Sequence, residues 1–79
     1  ASTNLSYTVK ERLASHILSI QKDGIFQLEL STLADSFGVS YRHLLRVIQE
    51  FMALGVIGKQ KPYYYINNLK QLKRWQIKE

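Results

Sequence analysis

Two arginines four positions apart, Arg42 and Arg46, have the residue type and spacing best suited to specific chemistry in this sequence. Residues four apart share one face of an α-helix, so the two guanidinium groups would project side by side. A guanidinium matches the O6/N7 edge of guanine, which discriminates against other bases by about 1–3 kcal/mol. Alternatively, both arginines are only solvated, or one pairs with Glu50, four residues after Arg46. The pattern favours contact with base edges in duplex DNA.

Other polar residues extend this predicted surface. The candidates for contact with bases are Tyr41, Arg42, His43 and Arg46. The candidates for contact with backbone phosphates are Ser31, Ser40, Gln49, Lys59 and Lys61. Each lysine that neutralises a phosphate adds about −0.9 to the slope of log affinity plotted against log salt concentration. The alternative for Lys59 and Lys61 is a solvated turn whose lysines only increase solubility.

A helix-turn-helix is needed to position these side chains, and residues 30–54 have that pattern. Ser31 can cap a helix over 31–37, and Gly38 permits the positive φ that a tight change of direction commonly requires. Ser40 can then cap a second helix over 41–54. The buried face of that helix is predicted by apolar residues at helical spacing, which are Leu44, Val47, Ile48 and Phe51. Arg42 and Arg46 would lie on the opposite side.

The chain before this unit predicts one helix and one strand. Thr8 and Glu11 match a capping box, which indicates a helix over 8–23 with Gly24 in the left-handed conformation beyond it. The apolar stripe of this helix is predicted at Val9, Leu13, Ile17 and Ile20. Residues 25–30 alternate between apolar and polar side chains, which is typical of a half-buried strand.

The chain after the second helix predicts a β-hairpin. Two β-type runs, 56–57 and 63–66, flank a short segment with Gly and Pro, so residues 56–66 predict a wing. Lys59 and Lys61 would lie at or near its tip. Alternation along the second strand separates Tyr64 from Tyr63 and Tyr65, which lie on the other face.

A C-terminal helix is predicted over 68–78, with Asn67 or Asn68 as its cap and Trp75 as an anchor against the domain. Its basic residues would remain in solvent. The predicted fold is therefore mainly α with a small β-sheet (α+β). It is a single winged helix-turn-helix domain over 1–79, with three core helices, a short antiparallel sheet and an extra C-terminal helix.

Composition and charge narrow the class of protein. The 79 residues carry a net charge of +5, with three basic against four acidic residues up to position 37 and eight basic against two acidic after it. A basic half beside a nearly neutral half is expected of a protein that binds a polyanion. There is no cysteine, the two histidines lie on different predicted helices, and no Gly-rich phosphate loop occurs. We therefore expect no enzyme activity, no metal site and no cofactor.

The chain has neither an apolar run near the roughly 20 residues that span a bilayer nor the pattern of a signal peptide. We therefore expect a cytoplasmic protein that does not associate with a membrane. Because position 1 is Ala and not Met, we also expect a fragment of a longer protein.

The order and spacing of these features resemble the C-terminal DNA-binding domain of the Crp/Fnr family of bacterial transcription regulators. The resemblance covers roughly residues 9–66 and rests on Leu-x-x-Leu-Ala-x-x-x-Gly-Val-Ser ending at Ser40, then a helix with Arg46, then the wing. The block 38–45 looks most like the YeiL-type regulators of that family. The resemblance implies sequence-specific binding of double-stranded DNA, with the recognition helix in the major groove and the wing on the phosphate backbone.

The resemblance also implies individual roles. The serine at the position of Ser40 caps the helix and contacts phosphate, and the arginine at the position of Arg46 contacts a guanine. The family often has Arg then Glu after that serine, where this chain has Tyr41 then Arg42, so the acidic acceptor for a cytosine amino group is missing. Family members carry an N-terminal effector-binding domain and a dimerisation helix. We therefore expect a homodimer through regions outside these residues, with any effector bound by the N-terminal domain.

A protein-interaction module is the alternative from another class. In that case the basic face of the winged helix would meet an acidic protein, and the tyrosine-rich hairpin would supply the contact.

Overall fold

The computed structural model describes residues 5–76 of the chain, with side chains from position 9 onward. Its elements are α1 (Leu5–Ile20), β1 (Ile25–Phe26), α2 (Leu30–Phe37), α3 (Tyr41–Ala53), β2 (Ile57–Gln60), β3 (Tyr63–Ile66) and α4 (Leu69–Trp75). The strands form one antiparallel sheet in the order β1-β3-β2. The predicted α+β architecture is therefore confirmed.

Helix α1 is displaced from its predicted range of 8–23. It already includes the three residues before Thr8, so Thr8 lies inside the helix and the predicted capping box is wrong. The helix ends before position 22 because the backbone of Lys22 pairs with that of Ile25, through N–H to O distances of 2.9 and 3.0 Å. Asp23 and Gly24 close this turn with φ of 57° and 81°. The left-handed conformation predicted for Gly24 is confirmed.

The strand predicted over 25–30 is too long, since β1 has two residues. Leu28 and Leu30 nevertheless pack against the core, the first from a loop and the second from the first turn of α2. The alternation of apolar residues therefore reflected burial, which a loop can also provide. The N-cap of α2 is Glu29, whose side chain makes no capping hydrogen bond, so the prediction of Ser31 as the cap is wrong.

The turn between α2 and α3 has the predicted geometry. Gly38 takes φ of 72°, and the N–H of Val39 donates to the carbonyl of Ala34 at 3.0 Å. Ser40 is the N-cap of α3, where its Oγ accepts a hydrogen bond of 3.0 Å from the N–H of His43. The helix ends at Ala53, one residue before the predicted boundary of 54.

One hydrophobic core holds the helices and the sheet together. Its fully buried side chains include, in order of decreasing size, Phe51, Leu13, Ile17, Leu44, Ile48, Leu72, Val47 and Val56. They come from α1, α3, α4 and the segment before β2. The apolar stripes predicted for α1 and α3 therefore form the centre of the domain, except that Ile20 at the end of α1 is 36% exposed.

Helix α4 is shorter than the predicted range of 68–78. Asn68 is its N-cap, with Oδ1 accepting a hydrogen bond of 3.1 Å from the N–H of Gln71. The backbone is already extended at Gln76, so the helix ends at Trp75; residues 77–79 lie outside the described residues. Trp75 packs against the core with its ring 6.0 Å from that of Phe51, which confirms its predicted role as an anchor.

The second strand of the hairpin, β3, has its predicted range of 63–66, whereas β2 is longer than the predicted 56–57 and the turn is tighter. Strand β2 continues to Gln60, which leaves Lys61 and Pro62, joined by a cis peptide bond, as the turn. Gly58 permits this pairing because a Cβ at that position would overlap the ring of Tyr65. Among the helices of residues 5–76, none is long and apolar enough to cross a membrane.

Candidate nucleic-acid interface

The first turns of α3 bring together four of the predicted site residues. Ser40, Arg42, His43 and Arg46 line one open depression on the surface. Both arginines are exposed and His43 is half-buried. The direction of the two arginine side chains follows from burial of the opposite face of α3. On that face the exposed fractions are 0–1% for Leu44, Val47, Ile48 and Phe51. Burial of that face turns the arginines toward solvent.

The negative charge on α3 is paired with α1 and not with an arginine of its own helix. Lys10 Nζ lies 3.1 Å from Glu50 Oε1, and within residues 9–76 no carboxylate forms a salt bridge with Arg42 or Arg46. The alternative in which Glu50 pairs with an arginine therefore does not occur. Lys10 Nζ also lies 5.3 Å from the centroid of the Trp75 ring, so this lysine connects α1 with both α3 and α4. No periodicity in the sequence indicates this contact.

Tyr41 lies apart from the arginines. It is the first residue of α3, is 51% exposed and does not line their depression. Burial raises the pKa of the Tyr64 phenol, and the neighbouring phenol of Tyr41 raises that pKa further. Tyr41 is therefore near enough to Tyr64 for the two phenols to interact electrostatically, and its helix packs against β2 of the hairpin.

The two hairpin lysines occupy different positions. Lys61 belongs to the turn, as predicted for a tip residue. Lys59 lies within β2, where it pairs with Tyr64 and holds its Nζ 5.7 Å from the centroid of that ring. Sequence reasoning did not select Tyr64 as a site residue, because the cross-strand register that pairs it with Lys59 is decided by the turn.

The remaining phosphate candidates, Ser31 and Gln49, are both exposed and lie outside the depression of the arginines. Ser31 is in the first turn of α2, and Gln49 is two turns into α3.

The described residues also show whether the chain could hold a metal ion. In the described part of the chain, no three residues among His, Cys, Asp and Glu lie close enough together to bind a metal ion.

The outer face of the sheet carries a second exposed surface. Tyr63, Tyr65 and Ile25 are 47%, 38% and 49% exposed, and they line a mainly apolar depression together with Pro62. The predicted separation of the tyrosines is confirmed, since Tyr64 is only 7% exposed on the inner face.

Helices α2 and α3 with the Gly38 turn form a helix-turn-helix, and the β2–β3 hairpin directly after α3 is its wing, so the fold is that of a winged helix-turn-helix domain. The chain belongs to the family of Crp-like helix-turn-helix domains, whose family model matches residues 11–75. This confirms the resemblance to Crp-type regulators.

A relative supports the same family. The chain is 41% identical over 69 residues to the regulatory protein YeiL of Escherichia coli O157:H7. The matched region is 87% of this chain and 32% of the relative, so the chain spans about a third of the length of that curated relative. No solved structure gives a significant match to the chain.

Proposed function

We propose that this domain binds double-stranded DNA with sequence preference, as the DNA-binding part of a transcription regulator. Helix α3 enters the major groove, and the wing contacts the phosphate backbone beside it. B-DNA admits one α-helix into its major groove, and the N-terminal residues of a recognition helix contact the base edges. The family of Crp-like helix-turn-helix domains and the similarity to a regulatory protein support this function.

The observation that carries the proposal is the exposed pair Arg42 and Arg46, beside His43 and without an acidic partner in the described residues. Two guanidinium groups one turn apart repel each other by a few tenths of a kcal/mol. A polyanion removes this penalty, and a guanine edge provides the two acceptors that a guanidinium matches. We therefore propose that Arg42, His43 and Arg46 contact bases.

Five residues are proposed to contact the backbone: Ser31, Ser40, Gln49, Lys59 and Lys61. Support comes from Ser40, which borders the depression of the arginines, and from the exposure of the other four residues, of which Lys61 lies in the turn of the wing. Contacts of this kind position a protein on DNA without identifying its sequence.

Two substitutions test the proposal. Arg46→Ala should lower affinity for the selected site and relax the preference at one base pair, by about 1–3 kcal/mol. Lys61→Ala should lower the affinity for all DNA sequences alike, and it should reduce the slope of log affinity against log salt concentration by about 0.9. Lys22→Ala, in the exposed turn before β1, is a matched control for loss of charge. The measurement is fluorescence anisotropy with selected and random duplexes across a salt series. Arg46→Ala and Lys61→Ala variants that both bind like the parent would contradict the proposal.

For the longer protein, we propose a homodimer whose dimer contacts and effector site lie outside this chain. Dimers of helix-turn-helix proteins bind two half-sites about one helical turn apart. Selection from a random duplex pool with a dimeric form should therefore return two symmetric half-sites with that spacing. A single asymmetric site would contradict the dimer proposal while leaving DNA binding intact.

A second candidate function is a protein-interaction module that binds an acidic partner. The exposed Tyr63 and Tyr65 on the outer sheet face favour it, since aromatic residues are enriched in protein interfaces. Titration with salt against random duplex separates the two functions. A DNA-binding domain loses affinity steeply as salt rises, whereas an interaction module shows no such steep loss.

A further inference from the structure

We infer that Tyr41, Lys59 and Tyr64 form a binding site for one backbone phosphate of DNA, at the junction of α3 and the wing. The inference rests on the proposed function and deepens it. It also assigns Tyr41 to the backbone, whereas the sequence alone predicts contact with a base.

The Tyr64 hydroxyl is held at a defined position on the protein surface. Its ring is 7% exposed and stacks on Phe26, with centroids 5.7 Å apart and planes 13° apart. Among the described residues the hydroxyl has no hydrogen-bond partner, and no buried side-chain polar atom there is left unpaired. The hydroxyl must therefore reach solvent. A buried ring with a solvent-facing hydroxyl is a donor whose rotational freedom has already been lost on folding.

Lys59 places a positive charge beside this hydroxyl. Its register opposite Tyr64 in the β2–β3 pair puts both side chains on the same face of the sheet, and Nζ lies 5.7 Å from the ring centroid. In residues 9–76 no carboxylate forms a salt bridge with Lys59. The ammonium group is therefore held over an aromatic ring, where it can still bind an anion.

Tyr41 supplies the third donor from the other element. Successive residues of an α-helix are separated by about 100°, so Tyr41 points away from the direction shared by Arg42 and Arg46. Its helix packs against β2, the strand that carries Lys59. The phenol of Tyr41 is also near enough to Tyr64 to act on it electrostatically, and it adds to the effect of burial in raising the pKa of Tyr64. Two phenol hydroxyls and one ammonium group provide hydrogen-bond donors. A phosphate has the complementary set of acceptor oxygens.

The geometry explains why the ligand is a phosphate and not a base. Two of the three donors belong to the sheet, and strand β2 of the sheet packs against α3, the helix that is proposed to enter the groove. Base edges lie at the floor of the groove and phosphates at its walls. A site shared by the start of α3 and the wing faces the wall.

The test uses three substitutions and two matched controls. Tyr41→Phe and Tyr64→Phe remove one hydroxyl each and retain the ring, so that folding can be verified by thermal melting. Each should weaken binding to selected and random duplexes alike, by about 3- to 10-fold. Lys59→Met should reduce the salt slope by about 0.9. Tyr63→Phe and Tyr65→Phe, on the opposite face of the same strand, should bind as the parent does.

A second experiment locates the phosphate. A selected duplex is prepared with one neutral methylphosphonate at each backbone position in turn, and binding of the parent is compared with that of the three variants. At one position the methylphosphonate should lower the affinity of the parent for the duplex about tenfold. It should lower the affinity of each variant by no more than about twofold, because the variant has already lost its contact with that phosphate.

The outcomes separate the inference from the proposed function. If the parent binds DNA with a steep salt dependence while Tyr41→Phe and Tyr64→Phe bind equally well, the inference is wrong and the function stands. If Tyr41→Phe relaxes the preference at one base pair, Tyr41 contacts a base and the inference is also wrong. If the parent shows no salt-dependent binding, both fail.

Discussion

Replacing Lys10 by Met should destabilise the domain and weaken DNA binding, although Lys10 belongs to neither α3 nor the wing. The substitution keeps an unbranched side chain but removes the ammonium group. That group pairs with Glu50 at 3.1 Å and lies 5.3 Å from the Trp75 ring. It therefore joins three helices, and its loss should affect both stability and the charge on α3.

The size of the expected loss in free energy of unfolding follows from the solvent exposure of the two charged side chains. The side chains of Lys10 and Glu50 are 20% and 47% exposed, so solvent screens the salt bridge and its contribution is about 0.2–1 kcal/mol. The cation–π contact with Trp75 adds about 0.5–1 kcal/mol. A loss near 1 kcal/mol lowers the melting temperature of a domain of this size by about 4–8 °C.

The effect on DNA binding comes from the released carboxylate. Without Lys10, Glu50 remains unpaired four residues after Arg46, where it can attract that arginine and repel phosphates. We expect affinity for duplex DNA to fall about 2- to 5-fold, which corresponds to a few tenths of a kcal/mol up to about 1 kcal/mol.

Two measurements check this reasoning, thermal melting by circular dichroism and anisotropy with a labelled duplex. Lys22→Met is the matched control, since it removes the same charge from an exposed lysine. Adding Glu50→Gln to Lys10→Met should restore DNA affinity but not the melting temperature. The reasoning is refuted if Lys10→Met and Lys22→Met have the same melting temperature, or if the double variant binds no better than Lys10→Met.

Three further results are expected. Ser40→Ala removes the acceptor for the N–H of His43 and should cost about 1 kcal/mol in urea unfolding, whereas Ser40→Asp should retain most of the cap. Gly38→Ala should cost about 1–2 kcal/mol through its φ of 72°, since nothing lies within 4 Å of the added Cβ; an unchanged melting temperature would contradict this cause. Because the folded protein has a raised pKa for Tyr64, above the ordinary 10.0, the contribution of Tyr64 to stability should be fully present below pH 10 and be lost as pH rises from there through the folded pKa. Urea unfolding between about pH 9 and 11 should show a smaller decline for Tyr64→Phe.

Much of the fold was predictable because local patterns determine it. The apolar residues of α3 repeat at helical spacing over about two turns, and Gly38 and Ser40 are the residue types that a tight turn and an N-cap require. These signals depend on neighbours in the chain. They therefore predicted α3 to within one residue.

Boundaries were less predictable where backbone partners come from distant segments. The end of α1 depends on the pairing of Lys22 with Ile25, and β1 is short because only Ile25 and Phe26 pair with β3, opposite Tyr65 and Tyr64. Alternation in residues 25–30 indicated which side chains are buried, but it could not indicate which backbone groups find a partner.

The candidate site, like the fold, has features that local sequence patterns determine and features that depend on contacts between distant residues. By itself, the sequence determined that Arg42 and Arg46 share an exposed face, because helical periodicity places them opposite Leu44, Val47 and Phe51. Only the tertiary structure decided that Lys10 pairs with Glu50, and that the ammonium group of Lys59 lies over the ring of Tyr64. Contacts between residues on different elements are set by helix packing and strand register, and neither leaves a periodic pattern along the chain.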